Sequence, residues 1–590
     1  MSGNPSRFHR FWNELKRRRV VHVLTVYVTS SFVLIELVSN LSGPLSLPDG
    51  LAKIVVIVLA VGLPLVAVLS WLYDLTGEGI ERTRPIGEVP EEEERSVPNA
   101  WKVATYVSFA VILGLVTFNI IGKSNPLKAG DIQSLVILPF ENFTGDEQMD
   151  NMVASMHSLL IGDMGRISGL RVIGKTSSKV YKDSGKSAKE IAKELNVDGV
   201  VEATVTCLGD SICMQFRLLD TKGDESQVWV GDYHEDKSQI LNMYNRITGV
   251  IANEVKIGLT ADEKELLARK RTVDREAVDA FLKGYEHMDD LSEESLQKAQ
   301  DLLTRAAKKD PEWAAPQAGL AVVWMTMAQL GYASPEVAGA KAMEYMGRAL
   351  ELDPDLPELH FAIAIMAVWS EFDWERGEQE FKKALSVNPN DAVARIYYAH
   401  LLDIMQRNDE ALLQGRIASE TDPLNPLVQS LYGVVLACDH DWEGWMAQID
   451  KAFALDPDHF LSKLSLDMAA IHLGDEELAI QAIRGFMPFS ETLFDSIDRV
   501  FGQEGFKVAY NMALDEFDRI NWGTPFDHAM RRILIQQYDQ TMDWLENGYE
   551  IHDPNIPYMA TGLCAFDSLY TNPRFMAIAE KVNLPMPGSP

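Results

Sequence analysis

Glu-Phe-Lys-Lys-Ala-Leu-Ser-Val-Asn-Pro (380–389), Gln-Gly-Arg-Ile-Ala-Ser-Glu-Thr-Asp-Pro (414–423) and Gln-Ile-Asp-Lys-Ala-Phe-Ala-Leu-Asp-Pro (448–457) end alike, each on an Asp-Pro or Asn-Pro pair. The same ending occurs at Asp310-Pro311 and Asp353-Pro354, so the prolines stand 43, 35, 34 and 34 residues apart. Ala306, Ala349, Ala384, Ala418 and Ala452 each lie five positions before their proline. A period of this length with a fixed offset is the mark of stacked helix pairs, each too small to bury its apolar face alone.

The positions around the ladder define the pairs. Twelve residues before each proline come Ala299, Ala342, Gly377, Ala411 and Trp445, and ten after the first four come Ala321, Ala364, Ala399 and Gly433. Small residues at those sites let two antiparallel helices touch, and proline closes the second. This pattern resembles the tetratricopeptide repeat and predicts a superhelical solenoid over 274–490, followed by an irregular helical cap over 491–590. Trp445 breaks the small-residue rule, which predicts a looser fifth pair. The 43-residue step is one repeat plus nine residues, assigned to a bulge at 329–336.

The inner surface of such a solenoid is lined by the first helix of each pair. In the central repeats the lining positions are Glu358, Phe361, Ile365 and Trp369, then Val393, Ile396, His400 and Ile404, then Leu427, Ser430, Val434 and Cys438. This set is mostly apolar and lacks the Lys, Arg and Asn that clamp a peptide carboxylate. It predicts a protein partner offering an apolar or helical segment, or self-association into a homo-oligomer. Alternatively Phe361 and Trp369 belong to the core.

The N-terminal region differs in composition. Residues 1–122 hold 11 Lys/Arg and 11 Asp/Glu, so the whole formal charge of −32 falls on 123–590. An acidic body repels phosphate backbones and excludes nucleic acid as a partner. Apolar runs at Val20 to Leu41, Leu51 to Leu72 and Trp101 to Ile121 each approach the roughly 20 residues that cross a bilayer. They predict three transmembrane helices over 20–122, with a cytoplasmic loop at 75–100. The basic cluster Arg7, Arg10 and Lys16 to Arg19 places residues 1–19 in the cytoplasm. The reading is a membrane-embedded protein of the bacterial inner membrane, with 123–590 in the periplasm. Glu36 falls inside the first run, where a carboxylate is either functional or paired, with Lys53 as the candidate partner.

From 131 to 257 short apolar runs alternate with helical ones in the order β-α-β-α-β-β-β-α, followed by a charged helical connector over 258–273. Ser-Leu-Val-Ile-Leu-Pro-Phe-Glu-Asn-Phe-Thr-Gly-Asp (134–146), Gly-Leu-Arg-Val-Ile-Gly-Lys-Thr-Ser-Ser (169–178) and Glu-Leu-Asn-Val-Asp-Gly-Val-Val-Glu-Ala (194–203) resemble the TolB amino-terminal-domain-like, or FlgO-like, module. The stretches at 11–20, 71–83, 544–550 and 572–575 are similar to the anchor and tail of the same large group. The resemblance implies a multidomain chain: anchor, small α/β domain and all-α tetratricopeptide solenoid. Related chains often carry a cytoplasmic output domain, such as a winged helix or a nucleotide cyclase. With about 19 residues before the first run, none is expected here.

Cys207 and Cys213 flank Gly209-Asp210-Ser211. A three-residue hairpin loop would set them opposite and permit a disulfide in an oxidising compartment, whereas a two-residue loop would set them diagonally. Glu202, inside an apolar strand, pairs across the hairpin with a cation such as Arg217 or marks a small ligand site. No phosphate loop, His-Glu-x-x-His or paired Cys-x-x-Cys occurs. His157 and His400 read as structural or interface residues, and no catalytic residue, cofactor or metal is expected. The sequence points to a non-enzymatic scaffold that binds other envelope proteins. The alternative is a membrane receptor that senses a small ligand through its α/β domain.

Overall fold

The computed structural model describes residues 20–42, 51–76, 79–82, 132–146, 150–208, 211–222, 225–236, 239–268, 272–288, 290–520, 522–561, 563 and 566–586. They fall into two compact units, 1–126 and 127–590.

In the first unit, helices Val20–Ser42 and Leu51–Leu72 lie side by side. Tyr27 Oη donates to the Leu59 carbonyl at 3.0 Å. Strands β1 (Tyr73–Thr76) and β2 (Gly79–Arg82) form an antiparallel hairpin where a loop was expected. A crossing needs about 20 consecutive apolar residues to match about 30 Å of hydrocarbon. Among the described residues no helix is long and apolar enough to cross a membrane. That finding corrects the expectation of three transmembrane helices, and with it the inner-membrane placement and the periplasmic body. The segments 1–19 and Trp101 to Ile121 lie outside the described residues. Glu36 is helical, and its side chain lies outside them too.

The second unit begins with a sheet ordered β5-β3-β6-β7-β8, made of β3 (Ser134–Ile137), β5 (Arg171–Val172), β6 (Gly199–Leu208), β7 (Ser211–Asp220) and β8 (Ser226–Asp236). A short β4 (Glu141–Asn142) also pairs with β6. β3 runs parallel to β5 and β6, and β6, β7 and β8 form an antiparallel meander. Side chains alternate between the two faces of β3, so both faces must be covered. Leu135 and Ile137 pack with Met156, Leu160, Met243 and Ile247 of helices Asp150–Gly165 and Ile240–Glu254. Val136 packs on the other face with Ile191 and Leu195 of helix Ala188–Leu195, whose N-terminus is fixed by a capping box between Ser187 and Glu190.

Helix pairs then follow in regular succession: 275–288 with 293–309, 314–329 with 335–352, 357–369 with 374–387, 392–404 with 408–421, 426–438 with 442–455, and 460–473 with 476–486. Ser292, Ser334, Asp373, Asp441 and Asp475 each accept a backbone N–H at the start of a second helix. Phe372, Gln406, His440 and Gly474 all adopt positive φ, between 56° and 65°, at the same corner of successive pairs. Only the last is the glycine such a corner favours, so three of the four corners carry no mark in the sequence.

Two expectations are corrected within the repeats. Trp445 does not loosen the fifth pair. It is fully buried against Gly433, where an added Cβ would sit 2.9 Å from the indole. The extra nine residues of the second pair do not bulge. Seven of them lengthen its helices to 16 and 18 residues, against 13 and 14 in the third pair, and extra turns keep backbone hydrogen bonds that a loop would lose.

The region 491–590, expected to be an irregular helical cap, holds helices Glu491–Glu504, Phe506–Ile520, Pro525–Leu534 and Tyr538–Glu550. A 3-10 turn at Ile556–Ala560 and a last helix at Pro573–Lys581 follow. This tail folds back against helices 357–369 and 392–404, so Phe566 and Phe575 share one core with Trp369 and Ile396.

Candidate functional site

The inner face of the solenoid is built by helices Pro357–Trp369, Ala392–Ile404 and Pro426–Cys438. Ile365, Trp369, Ile396, His400, Ile404, Leu427, Ser430, Val434 and Cys438 are buried, while Glu358, Phe361 and Val393 are half-buried. The groove expected to be open to a partner is filled by the chain's own tail. Tyr558, at the centre of the 3-10 turn, reaches between two of the lining residues. Trp369 Nε1 donates to its hydroxyl at 3.2 Å. That hydroxyl lies 3.0 Å from His400 Nδ1, and His400 Nε2 lies 3.0 Å from the Leu431 carbonyl.

One protonation state satisfies the whole chain. Tyr558 donates to Nδ1 and Nε2–H donates to Leu431, which makes His400 neutral. Burial works in the same direction, pulling the imidazole down to about 4. Gln406 Nε2 donates to the Ala560 carbonyl at 3.0 Å, and Trp374 Nε1 to the Asn583 carbonyl at 3.1 Å. These contacts pin the tail along the inner face.

Glu358 is set apart from the other lining residues. It faces Arg166 and Asp163 of the α/β region, and burial raises its carboxyl above the usual range. It belongs to a second contact, in which the ladder loops grip the α/β module. The Asp422 carboxylate accepts from Ser177 N at 2.9 Å, Ser177 Oγ at 2.5 Å and Asn425 Nδ2 at 2.9 Å. Gly174 N donates to the Thr421 carbonyl at 2.9 Å, and a side chain at Gly174 would overlap Asp422. One repeat earlier, the Asn390 side chain accepts from Val172 N at 2.9 Å and donates to the Gly165 and Leu170 carbonyls at 2.9 and 2.8 Å. Two corners of the proline ladder are therefore docking points for the segment 165–177.

Cys207 and Cys213 stand directly opposite in the β6–β7 register, 4.8 Å apart at Cα, and are joined by a disulfide. Glu202 faces Arg217 across the same pair of strands, with an ion pair of 2.6 Å. His157 is buried beneath the sheet, with Nε2 2.8 Å from the Ile137 carbonyl. Among the described residues no group of His, Cys, Asp or Glu is arranged to hold a metal ion. The tail residues 553–561 escaped the sequence reading. Their one signal is the run Ile-Pro-Tyr-Met-Ala (556–560) in a region expected to be an irregular helical cap.

Between the inner face and the tail, packing leaves a cavity of about 110 Å³. Tyr397, His400, Val434, Ser465, Phe526 and Tyr558 are among its walls.

The fold is thus a tetratricopeptide solenoid closed on its inner side by its own tail and bound at its loop edge to an α/β module. No family model matches the chain. It is 27% identical over 239 residues to the "Putative adenylate cyclase 3" of Rhizobium meliloti, covering 40% of each chain. It is 26% identical over 311 residues to the transcriptional regulator HilA of Salmonella typhimurium, covering 51% of this chain and 53% of that one. The chain spans about half the length, or less, of these curated relatives. Among solved structures it is similar to YrrB, a TPR protein with an unusual peptide-binding site, at 22% identity, with 32% of this chain and 91% of that one covered and a TM-score of 0.20. It is similar to PilF of Pseudomonas aeruginosa at 17% identity, with 38% and 97% covered and a TM-score of 0.26. Scores this low carry no argument about ligand or partner.

Proposed function

We propose that the chain is a non-enzymatic protein-interaction scaffold in which a TolB-like, FlgO-like α/β module is carried in fixed orientation by a tetratricopeptide solenoid. The observation that carries this reading is the grip of Asp422 and Asn390 on the segment 165–177. Fixing one module on another through buried, hydrogen-bonded loops serves presentation, since it sets where two partners stand relative to each other. With the inner face filled, protein partners meet the outer helices. Met343 and Leu350 of helix Pro335–Leu352 are exposed apolar side chains one heptad apart, the spacing at which a helix presents one face. The net charge of −32 favours basic partners and speeds their encounter.

Site-specific photo-crosslinking in intact cells tests the reading. A crosslinker at Met343 is expected to capture protein, and one at the buried His400 is not. Capture from His400 with none from Met343 would overturn the assignment of the outer face.

A further inference from the structure

We propose that the cavity between the solenoid's inner face and its tail is a binding site for a small, mainly apolar, ring-sized molecule carrying one hydrogen-bonding group, which meets the Tyr397 hydroxyl. Three features carry this. The first is size. At about 110 Å³ the space is comparable with an engineered apolar cavity of about 150 Å³ that takes up benzene and stays dry when empty.

The second is chemistry. Leu431, Val434, Leu464, Met468, Phe526 and Met530 supply apolar walls. The polar atoms of His400 and Tyr558 are consumed by their own hydrogen-bonded chain, and the Asp527 carboxylate is held by Thr524 N at 2.8 Å. The remaining polar walls, Thr326, Gln329, Ser465 and Asn555, are neutral, so no free charge is left for an ionic ligand. Tyr397 differs: its hydroxyl makes no hydrogen bond to any described residue, and burial alone pushes it up to about 12. Tyr397 is half-buried and its hydroxyl is not cut off from solvent, so a ligand with one acceptor or donor takes the bond the hydroxyl would otherwise make to water.

The third is access. Leu461, Leu464 and Met468, on one helix of the wall, are only half-buried, so the cavity is not sealed from solvent. The walls come from both the repeats and the tail, so occupancy ties the two together. The site does not depend on the scaffold reading, because crosslinking to protein partners and uptake of a small molecule are measured separately.

Calorimetry on the full chain with phenol and toluene as probes tests it. Phenol is expected to bind saturably and about 3- to 10-fold more tightly than toluene, the ratio corresponding to one net hydrogen bond. Tyr397→Phe should bring the two affinities together. Val434→Phe, which fills the cavity, should abolish both. Absence of saturable binding by either probe overturns the proposal, as does an unchanged phenol preference in Tyr397→Phe. Should Val434→Phe fail to fold, the Tyr397→Phe selectivity decides alone.

Discussion

Tyr558→Phe isolates the contact that closes the solenoid. The substitution keeps the ring, which packs edge-on to His400 with centroids 5.8 Å apart, and removes only the hydroxyl. That hydroxyl serves Trp369 Nε1 at 3.2 Å and His400 Nδ1 at 3.0 Å. Trp369 is 1% exposed and His400 2%, so both polar groups are shielded from bulk water. Leaving one buried polar group unpartnered costs about 1–3 kcal/mol. Two such groups, less the desolvation of the phenol itself, give an expected loss of about 2–4 kcal/mol. Urea unfolding followed by tryptophan fluorescence measures it, with limited proteolysis of the tail as a second readout. Tyr397→Phe is the internal control: it is the same chemical change on a hydroxyl without a partner, and should shift stability by less than about 0.5 kcal/mol. Equal effects of the two substitutions, or a loss below about 0.5 kcal/mol for Tyr558→Phe, would refute the claim that the tail is held through this hydroxyl.

Gly174→Ala places a side chain against Asp422 and should separate the α/β module from the ladder loops. Tryptic cleavage within 256–275 is then expected to accelerate several-fold, and an unchanged digestion pattern would count against the docking. Reduction of Cys207–Cys213 releases a short closed loop, so loop entropy predicts a loss of about 2 kcal/mol in the α/β region; urea midpoints with and without reductant measure it. The pH dependence has two opposed parts. Burial holds His157, His400 and His528 at about 4, below the usual value near 6.5, so each contributes stability present above 6.5 and lost as pH falls toward 4. Asp163 and Asp553 are pushed up to about 6 by burial, so their contribution is present below about 4 and lost as pH rises through 6. Asp163→Asn should therefore raise stability at pH 7.5 by roughly 1–2 kcal/mol, discounted for partial exposure, and leave pH 4 unchanged. Urea midpoints from pH 4 to 8 check this, and an equal gain at both ends would contradict the assigned cause.

The apolar runs at the N-terminus show how a local pattern can mislead. Hydropathy counts residues along one chain, and among the described residues no helix meets the requirement for crossing a membrane. Trp445 shows another limit. A rule about small residues at one position misses compensation by its neighbour, here Gly433. The Asp-Pro ladder was visible at once, yet its use at Asn390 and Asp422 depends on a segment more than 200 residues away, a distance no spacing rule spans. The candidate groove was legible as a set of residues, most of them on one apolar face, but Glu358 left that set because Arg166 faces it from the other module.

The sequence by itself determined the repeat period, the main strands and helices of the α/β module, and the apolar face of each inner helix. All of these are written in periodicities of a few residues, because a helix or strand buries one face regardless of what covers it. Tertiary structure alone decided what does the covering. Tyr558 meets His400 across 158 residues of chain, and that single contact turns an apparent open groove into a filled core with a small cavity. Burial patterns report that a surface is hidden from water; only the folded chain shows that the surface hiding it is the protein's own tail.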